Sequence, residues 1–512
     1  MEIQVQVQTQ QGLKTCQAAP GQTLLDALRD VVQLRAPCGG NGSCGKCAVL
    51  LVEPEGERKV LACQTPARDG MVVRVPRQDP LQVALVGEAQ TDLTPDPGLA
   101  GYGVACDIGT TTVVCRLVEL STGKALAVLG QGNAQCGFGA DVISRIKAAM
   151  EGQLPQLTQA IRAQLSEMIL ALCRQAGTGP EHISAMAVAG NTTMCHLLSG
   201  LDPAGLGAAP FTPLSRFGAP VPARDLELPF DGPVYLCPAV SGYVGGDITA
   251  DLLAAGMDRM DRPALLIDVG TNGEMALGCG EHFVCCSTAA GPAFEGAQLS
   301  CGMTAAPGAI SAVEWANGAL RCATIGGREA VGLCGSGLLD AVAVMLELGA
   351  VDETGRMLDP EEDDIPPQAA PYLFLTEEEQ PAFRLAPRVY ITQADVRKLQ
   401  LGKGAIAAGV RVLLDAYGIQ PGQVGQLLLA GGFGSYLRPE SAARIGLIPA
   451  ELLPVTRAVG NCAAEGARLA LISTQARQRL ARLQQTMSYL ELSGLAAFNS
   501  AYMDAMMFPE ED

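Results

Sequence analysis

Four cysteines near the start of the chain are spaced Cys38-x5-Cys44-x2-Cys47-x15-Cys63, the first three inside Pro37-Cys38-Gly-Gly-Asn-Gly-Ser-Cys44-Gly-Lys-Cys47. Four thiolates so spaced suit a [2Fe–2S] cluster, and a glycine-rich loop lets backbone amides point at the sulfurs and help set the potential. Four thiolates also make a structural zinc site, but zinc sites usually pair two short Cys-x-x-Cys knuckles, and only one is present. A second chemistry is written twice. Val104-Ala105-Cys106-Asp107-Ile108-Gly109-Thr110-Thr111-Thr112 and Ala264-Leu265-Leu266-Ile267-Asp268-Val269-Gly270-Thr271-Asn272-Gly273-Glu274 both read strand, Asp, apolar residue, Gly-Thr, polar turn. Glycines there let backbone N–H groups approach an anion, and the threonines add hydroxyls. One copy is an ordinary hairpin turn. Two copies in matched apolar settings point to a duplicated fold that closes on the phosphates of a nucleotide. No Gly-x-x-x-x-Gly-Lys-Ser/Thr loop is present, and no Gly-x-Gly-x-x-Gly opens a helix.

The elements that must position these groups follow from periodicity and turn residues. Residues 1–80 form a first unit. Ile3, Val5 and Val7 alternate with polar residues as in a half-buried strand. Thr23 caps a short helix over 24–30, and an apolar strand over 48–52 follows the cysteine loop. Three ligands in one loop and a fourth after a strand resembles ferredoxins of the plant and adrenodoxin type, with the x5 gap of the adrenodoxin variant. Residues 81–101, with Thr94-Pro-Asp-Pro-Gly, read as a linker that lets the cluster unit swing. A first lobe spans 102–260. In it Gly139-Ala-Asp-Val-Ile-Ser-Arg145-Ile opens a helix. Leu157, Ile161, Leu165, Ile169 and Leu172 line one face of another helix that ends at Gly177. A strand then runs into Gly190-Asn191-Thr192-Thr193, and Ser241-Gly-Tyr-Val-Gly-Gly-Asp247 leads into a further helix.

The second lobe, 261–473, repeats that order. Gly332–Gly337 opens a helix starting at Leu338. A helix carrying Ile406, Val410, Leu413 and Leu414 ends at Gly418. The strand Gln426–Ala430 runs into Gly431-Gly432-Phe433-Gly434, mirroring the strand before Gly190-Asn191. Residues 352–379 hold ten acidic residues and one basic, and read as a solvated insertion. Val459–Ala467 begins a small-residue helix, and 474–512 read as an amphipathic helical tail that packs as an arm.

Bulk properties narrow the function classes. At 512 residues the chain has room for roughly three domains. The net charge is −18, and the first 80 residues carry nine basic against eight acidic side chains, so the acidity lies in the lobes. Such a surface argues against nucleic acid and against anionic membrane. No apolar run reaches the ~20 residues of a membrane span. Eighteen cysteines without a signal peptide do not read as a disulfide framework. Most sit singly in apolar elements, which suits a reducing cytoplasm, including an anaerobic one.

In order along the chain, residues 104–113, 185–194, 264–275, 427–435 and 459–469 resemble the five elements of the actin, Hsp70 and sugar-kinase ATPase superfamily. That resemblance implies an α/β, duplicated, ribonuclease H-like ATPase core behind an N-terminal β-grasp, ferredoxin-like domain. With the cluster motif, Gly139-Ala-Asp-Val-Ile-Ser-Arg and Gly190-Asn-Thr-Thr-Met, the chain is similar to the reductive activators of corrinoid proteins over nearly its whole length. The resemblance implies an ATP-hydrolysing reductive activase that passes one electron from a [2Fe–2S] cluster to Co(II) and regenerates Co(I) for methyl transfer. Its partners would be a corrinoid protein and an upstream low-potential electron donor, and a homodimer is compatible with it. Cys38, Cys44, Cys47 and Cys63 would hold the cluster, and Asp107 and Asp268 would hold Mg²⁺ across the cleft. Gly109, Thr110, Thr111, Thr112, Gly270, Thr271, Asn272 and Gly273 would grip ATP phosphates. Gly431, Gly432, Phe433 and Gly434 would line the adenosine. Asn191, Asp247 and Glu274 are the candidates for orienting water, and each could equally cap a helix or satisfy a turn. Two alternatives stand beside this. One is an ATP-driven activator of a different radical or metalloenzyme; the other is a small-molecule kinase with a regulatory cluster.

Overall fold

The computed structural model describes residues 3–9, 12–28, 31, 32, 34, 47–54, 56–76, 93–434 and 436–510. Cys38, Cys44 and the first part of the expected linker lie outside them. The N-terminal unit contains β1 (Ile3–Thr9), β2 (Gly12–Ala18), α1 (Leu24–Leu28), β3 (Ala48–Glu53), β4 (Gly56–Leu61) and β5 (Met71–Arg74). Its sheet runs β2-β1-β5-β3-β4, with β1 and β5 parallel. Val5 and Val7 point inward, as their period of two requires, onto Leu24, Leu25 and Leu28. Thr23 and Asp26 cap α1 reciprocally through side chain and backbone N–H.

The first lobe comprises β6 (Tyr102–Ile108), β7 (Thr112–Glu119), β8 (Lys124–Gly132), α2 (Val142–Ala148), α3 (Leu154–Ala176), β9 (Ile183–Gly190), α4 (Thr192–Ser199), β10 (Pro220–Pro222), β11 (Pro233–Leu236) and α5 (Gly246–Ala254). Its sheet order is β10-β11-β9-β6-β7-β8. The apolar face of α3 is buried on this sheet, and left-handed Gly177 ends the helix.

The second lobe begins with β12 (Ala264–Val269), β13 (Gly273–Cys279) and β14 (His282–Thr288). Two small sheets follow: β15 (Ala309–Ala316), β16 (Ala319–Thr324) and β17 (Gly332–Leu333), then, after α6 (Gly335–Glu347), β18 (Leu373–Leu375), β19 (Pro381–Ala386) and β20 (Val389–Thr392). Next come α7 (Gln393–Tyr417), β21 (Gln426–Ala430), α8 (Gly431–Gly434), α9 (Pro439–Arg444), β22 (Thr456–Gly460), α10 (Cys462–Ile472), α11 (Thr474–Thr486), β23 (Met487–Tyr489) and α12 (Ala496–Ala505). The main sheet runs β22-β21-β12-β13-β14-β23. Thus β12, β13, β14, β21 and β22 repeat β6, β7, β8, β9 and β11 in order and sense. A core built from α5, α10, Ala105, Leu266 and Leu428 joins the two lobes.

Three regions differ from the expectation. The acidic stretch 352–379 buries Met357, Ala369 and Leu373 in the second-lobe core, so apolar anchors fold it down while its acids stay at the rim. The tail is not all helix: β23 pairs in parallel with β14 and extends the main sheet. The end of the linker is pinned, because Asp96 accepts hydrogen bonds from Thr474 N and Oγ1 at 2.7 and 2.6 Å, and Leu93 and Leu99 pack on the interlobe core.

Candidate functional site

The thiol pair is assembled by a hairpin. Pairing of Ala48 with Leu61 across β3 and β4 sets Cys47, just before one strand, beside Cys63, just after the other. Ala62 N donates to Cys47 O at 3.0 Å and closes the end. Both cysteines are buried, with Sγ atoms 3.2 Å apart, well beyond the ~2.05 Å of a disulfide. Two buried sulfurs in hydrogen-bond contact, with no disulfide between them, fit two ligands of one cluster. Gln64 Nε2 donates to Cys63 Sγ at 3.7 Å.

The second site is a cleft of about 270 Å³ between the lobes. The two Asp hairpins meet there. β6 delivers Asp107 to the turn of Gly109–Thr112, and β12 delivers Asp268 to the turn of Gly270–Asn272. Gly431 has φ near +90°, and a Cβ on it would lie 2.2 Å from Asp268 Oδ1, so only glycine lets this backbone approach the carboxylate. The first loop is braced from behind. Arg145, fully buried, donates to Thr110 O and Gly139 O, and Asn191 Nδ2 donates to Thr110 Oγ1 at 3.0 Å. Asn191 Oδ1 meanwhile accepts from Met194 N at 2.9 Å and caps α4. Asn191 thus both braces the first loop and caps α4 while lining the cleft.

Burial dominates the electrostatics. It pushes the Asp107 carboxyl up to about 7, against the opposing help of Asn461 Nδ2, which donates to Asp107 Oδ2 at 2.8 Å. Burial and the neighbouring Asp268 push Asp247 up to about 7. Burial raises Asp268 to about 6. Glu274, which accepts from Asn272 Nδ2 at 3.0 Å, is held well above the usual carboxylate range by burial and by Asp247 and Asp268. Asp251 is raised well above that range for the same reasons, and among the described residues neither of its oxygens meets a donor. The cleft therefore concentrates carboxyl groups whose protonated form burial favours.

Most expected residues line this cleft, but Gly273 and Gly434 do not: Gly273 pairs inside the sheet and Gly434 packs on Leu429. The side chain of Phe433 lies outside the described residues, and Tyr436 lines the wall nearby. The first turn of α6, Gly335 and Ser336, also faces the cleft; that helix starts at Gly335 rather than Leu338. Asp251, Glu295 and Asn461 escaped the sequence reading. Asp251 was within reach, since it lies four residues from Asp247 on the same helix face.

The fold and both sites now meet the known proteins. Residues 262–512 match the model of the C-terminal domain of RACo, the ASKHA domain; residues 102–260 match the RACo middle region; and residues 8–68 match the 2Fe-2S iron-sulfur cluster binding domain. The corrinoid activation enzyme RamQ of Eubacterium limosum is 32% identical, over 93% of this chain and 94% of that protein. The chain belongs to the RACo family of reductive corrinoid-protein activators. Another relative is the [Co(II) methylated amine-specific corrinoid protein] reductase of Methanosarcina barkeri, 26% identical over 68% of this chain and 66% of that protein. The solved structure of a reductive activator for corrinoid, iron-sulfur protein shares the architecture at a TM-score of 0.74 and 30% identity, covering 100% of this chain and 99% of that one. In this family member the cluster-domain match spans all four motif cysteines. No helix among the described residues is long and apolar enough to cross a membrane.

Proposed function

We propose that this chain is an ATP-dependent reductive activator that returns the Co(II) corrinoid of a partner protein to Co(I) for methyl transfer. The observation that carries the reading is the pairing of Asp107 and Asp268, from two matching hairpins, in one acidic cleft, on a chain that also brings Cys47 and Cys63 together. Cys38, Cys44, Cys47 and Cys63 hold the [2Fe–2S] cluster, which supplies one electron at a time. Asp107 and Asp268, facing each other in the cleft, would hold Mg²⁺ through water. Thr110, Thr111 and Thr271 donate to phosphate, the N-terminus of α6 favours the same anion, and Gly431 and Gly432 line the adenosine. Asn191, Asp247 and Glu274, all lining the cleft, are the groups to orient water.

ATP is needed because Co(II) reduction lies below the potential such a cluster ordinarily supplies, and ~59 mV is a factor of ten for one electron. Nucleotide closes the gap only by its differential affinity for two arrangements of the lobes. An upstream low-potential donor refills the N-terminal domain. The test mixes reduced protein, MgATP and a Co(II) corrinoid protein and follows the Co(I) absorption band. The band grows with ATP and stays flat without it. A band of equal height in both samples overturns the coupling, and none in either overturns the activity.

A further inference from the structure

Glu295 has no role in the reading above, yet its carboxyl group bridges the two phosphate loops. Thr111 Oγ1, in the first-lobe loop, donates to Glu295 Oε2 at 2.7 Å, and Thr271 Oγ1, in the second-lobe loop, donates to Glu295 Oε1 at 2.7 Å. The two hydroxyls stand 3.3 Å apart. A carboxylate with one oxygen on each loop has the charge sign and the acceptor pattern of a phosphate group; burial raises its pKa above the ordinary carboxylate value, while Thr271, Thr111 and Arg145 behind the first loop act in the opposite sense. Glu295 sits at the end of a short turn, Pro292–Glu295, flanked by Gly291 and Gly296, both with positive φ (79° and 70°). Gly291 N also donates to Thr271 O at 3.0 Å, and Ala293 and Phe294 of the turn are buried in the second-lobe core. The positive φ of the flanking glycines holds Glu295 at the loops, so its side chain is the part that can move away.

We propose that Glu295 is a resident anion of the nucleotide cleft. It holds both loop hydroxyls together, and a phosphate group of the nucleotide must displace it to reach them. Phosphate binding then swings the Glu295 side chain off the two hydroxyls while Phe294 keeps the turn anchored, and phosphate departure restores the bridge between the lobes. The inference rests on the nucleotide reading of the cleft and adds a competitor to it. Glu295 acts here as a positioning and affinity-setting residue.

The full-length protein and Glu295→Gln are titrated by calorimetry with MgATP, with inorganic phosphate and with adenosine. The amide keeps the shape but loses the charge and one acceptor. Hydrogen bonds to a charged group are worth about 1.5–3 kcal/mol each, so MgATP and phosphate should bind Glu295→Gln roughly tenfold tighter, with adenosine unchanged. Glu295→Asp, too short to span both hydroxyls, should tighten both anions by a smaller factor. Wild-type protein that binds MgATP while both variants bind it no tighter overturns the resident anion and leaves the nucleotide cleft standing. An equal change for all three ligands, adenosine included, marks a merely structural residue and also overturns it. Wild-type protein that binds no MgATP overturns the nucleotide reading itself.

Discussion

The two Asp hairpins share a backbone and differ in charge. In the first lobe Asp107 lies opposite Val114 and Ala105 lies opposite Arg116; in the second Asp268 lies opposite Glu274 and Leu266 opposite Ala276. Thus the position of Arg116 holds Ala276 in the second copy, and the position of Val114 holds Glu274. The helices reaching each hairpin from the other lobe differ in step. α10 offers Asn461 to Asp107 and Glu465 to Arg116, at 2.8 Å each. α5 offers Asp247 and Asp251 to Asp268. One half carries a buried ion pair beside its Asp, and the other gathers carboxyl groups that burial holds above their ordinary range. Duplication preserved the strands because hydrogen bonding and apolar burial specify them, whereas a handful of side chains at fixed registers reassigned the electrostatics.

The sharpest way to break this comparison is Asp268→Ala. It should lower ATP turnover by about 10²–10³-fold, the scale of losing one electrostatic element of a catalytic site, with the cluster absorption spectrum intact. Unchanged turnover would refute the site. Arg116→Met tests the ion-paired half. Glu465 would keep Arg468, which donates to it, but lose its partner at 2.8 Å, and denaturant unfolding should show a loss of about 3 kcal/mol. A double change, Arg116→Met with Glu465→Met, should recover most of it; no recovery would mean packing rather than charge sets the cost. Asn461→Ser keeps a good cap for α10 but removes the amide donor to Asp107. Turnover should fall by roughly fivefold with melting temperature nearly unchanged, the size of one ordinary hydrogen bond.

The smallest effect separates the long helices of the two lobes. In α3 the buried Gln164 is satisfied by Gly132 O and Ala134 N of its own lobe. In α7 the buried Lys403 donates to Met507 O and lies 4.9 Å over the Phe508 ring, both in the C-terminal tail. Burial lowers its ammonium to about 7. With a folded pKa below the unfolded ~10.4, its contribution is complete above that value and is lost as pH falls toward about 7. Relative to Lys403→Met, the wild type should therefore gain stability from pH 7 to pH 9, by on the order of 1 kcal/mol in denaturant unfolding. A gap that stays constant with pH would place the cost elsewhere.

What the amino-acid order determined alone was whatever depends on neighbours along the chain. The period of two around Val5 and Val7, the helix face of Leu157 to Leu172 with its glycine stop, and both strand-Asp-Gly-Thr turns are local patterns, and they appear where the sequence placed them. The same locality misled where apolar anchors are sparse, as in 352–379 and in β23, whose strand exists only because the edge of β14 is there to pair with. Tertiary structure alone decided the chemistry between elements. Glu295 meets Thr111 across 184 positions and Asn461 meets Asp107 across 354, separations at which no periodicity carries information. A carboxylate's charge is set by burial and by the partners brought to it, and those partners become neighbours only when two lobes close on one cleft.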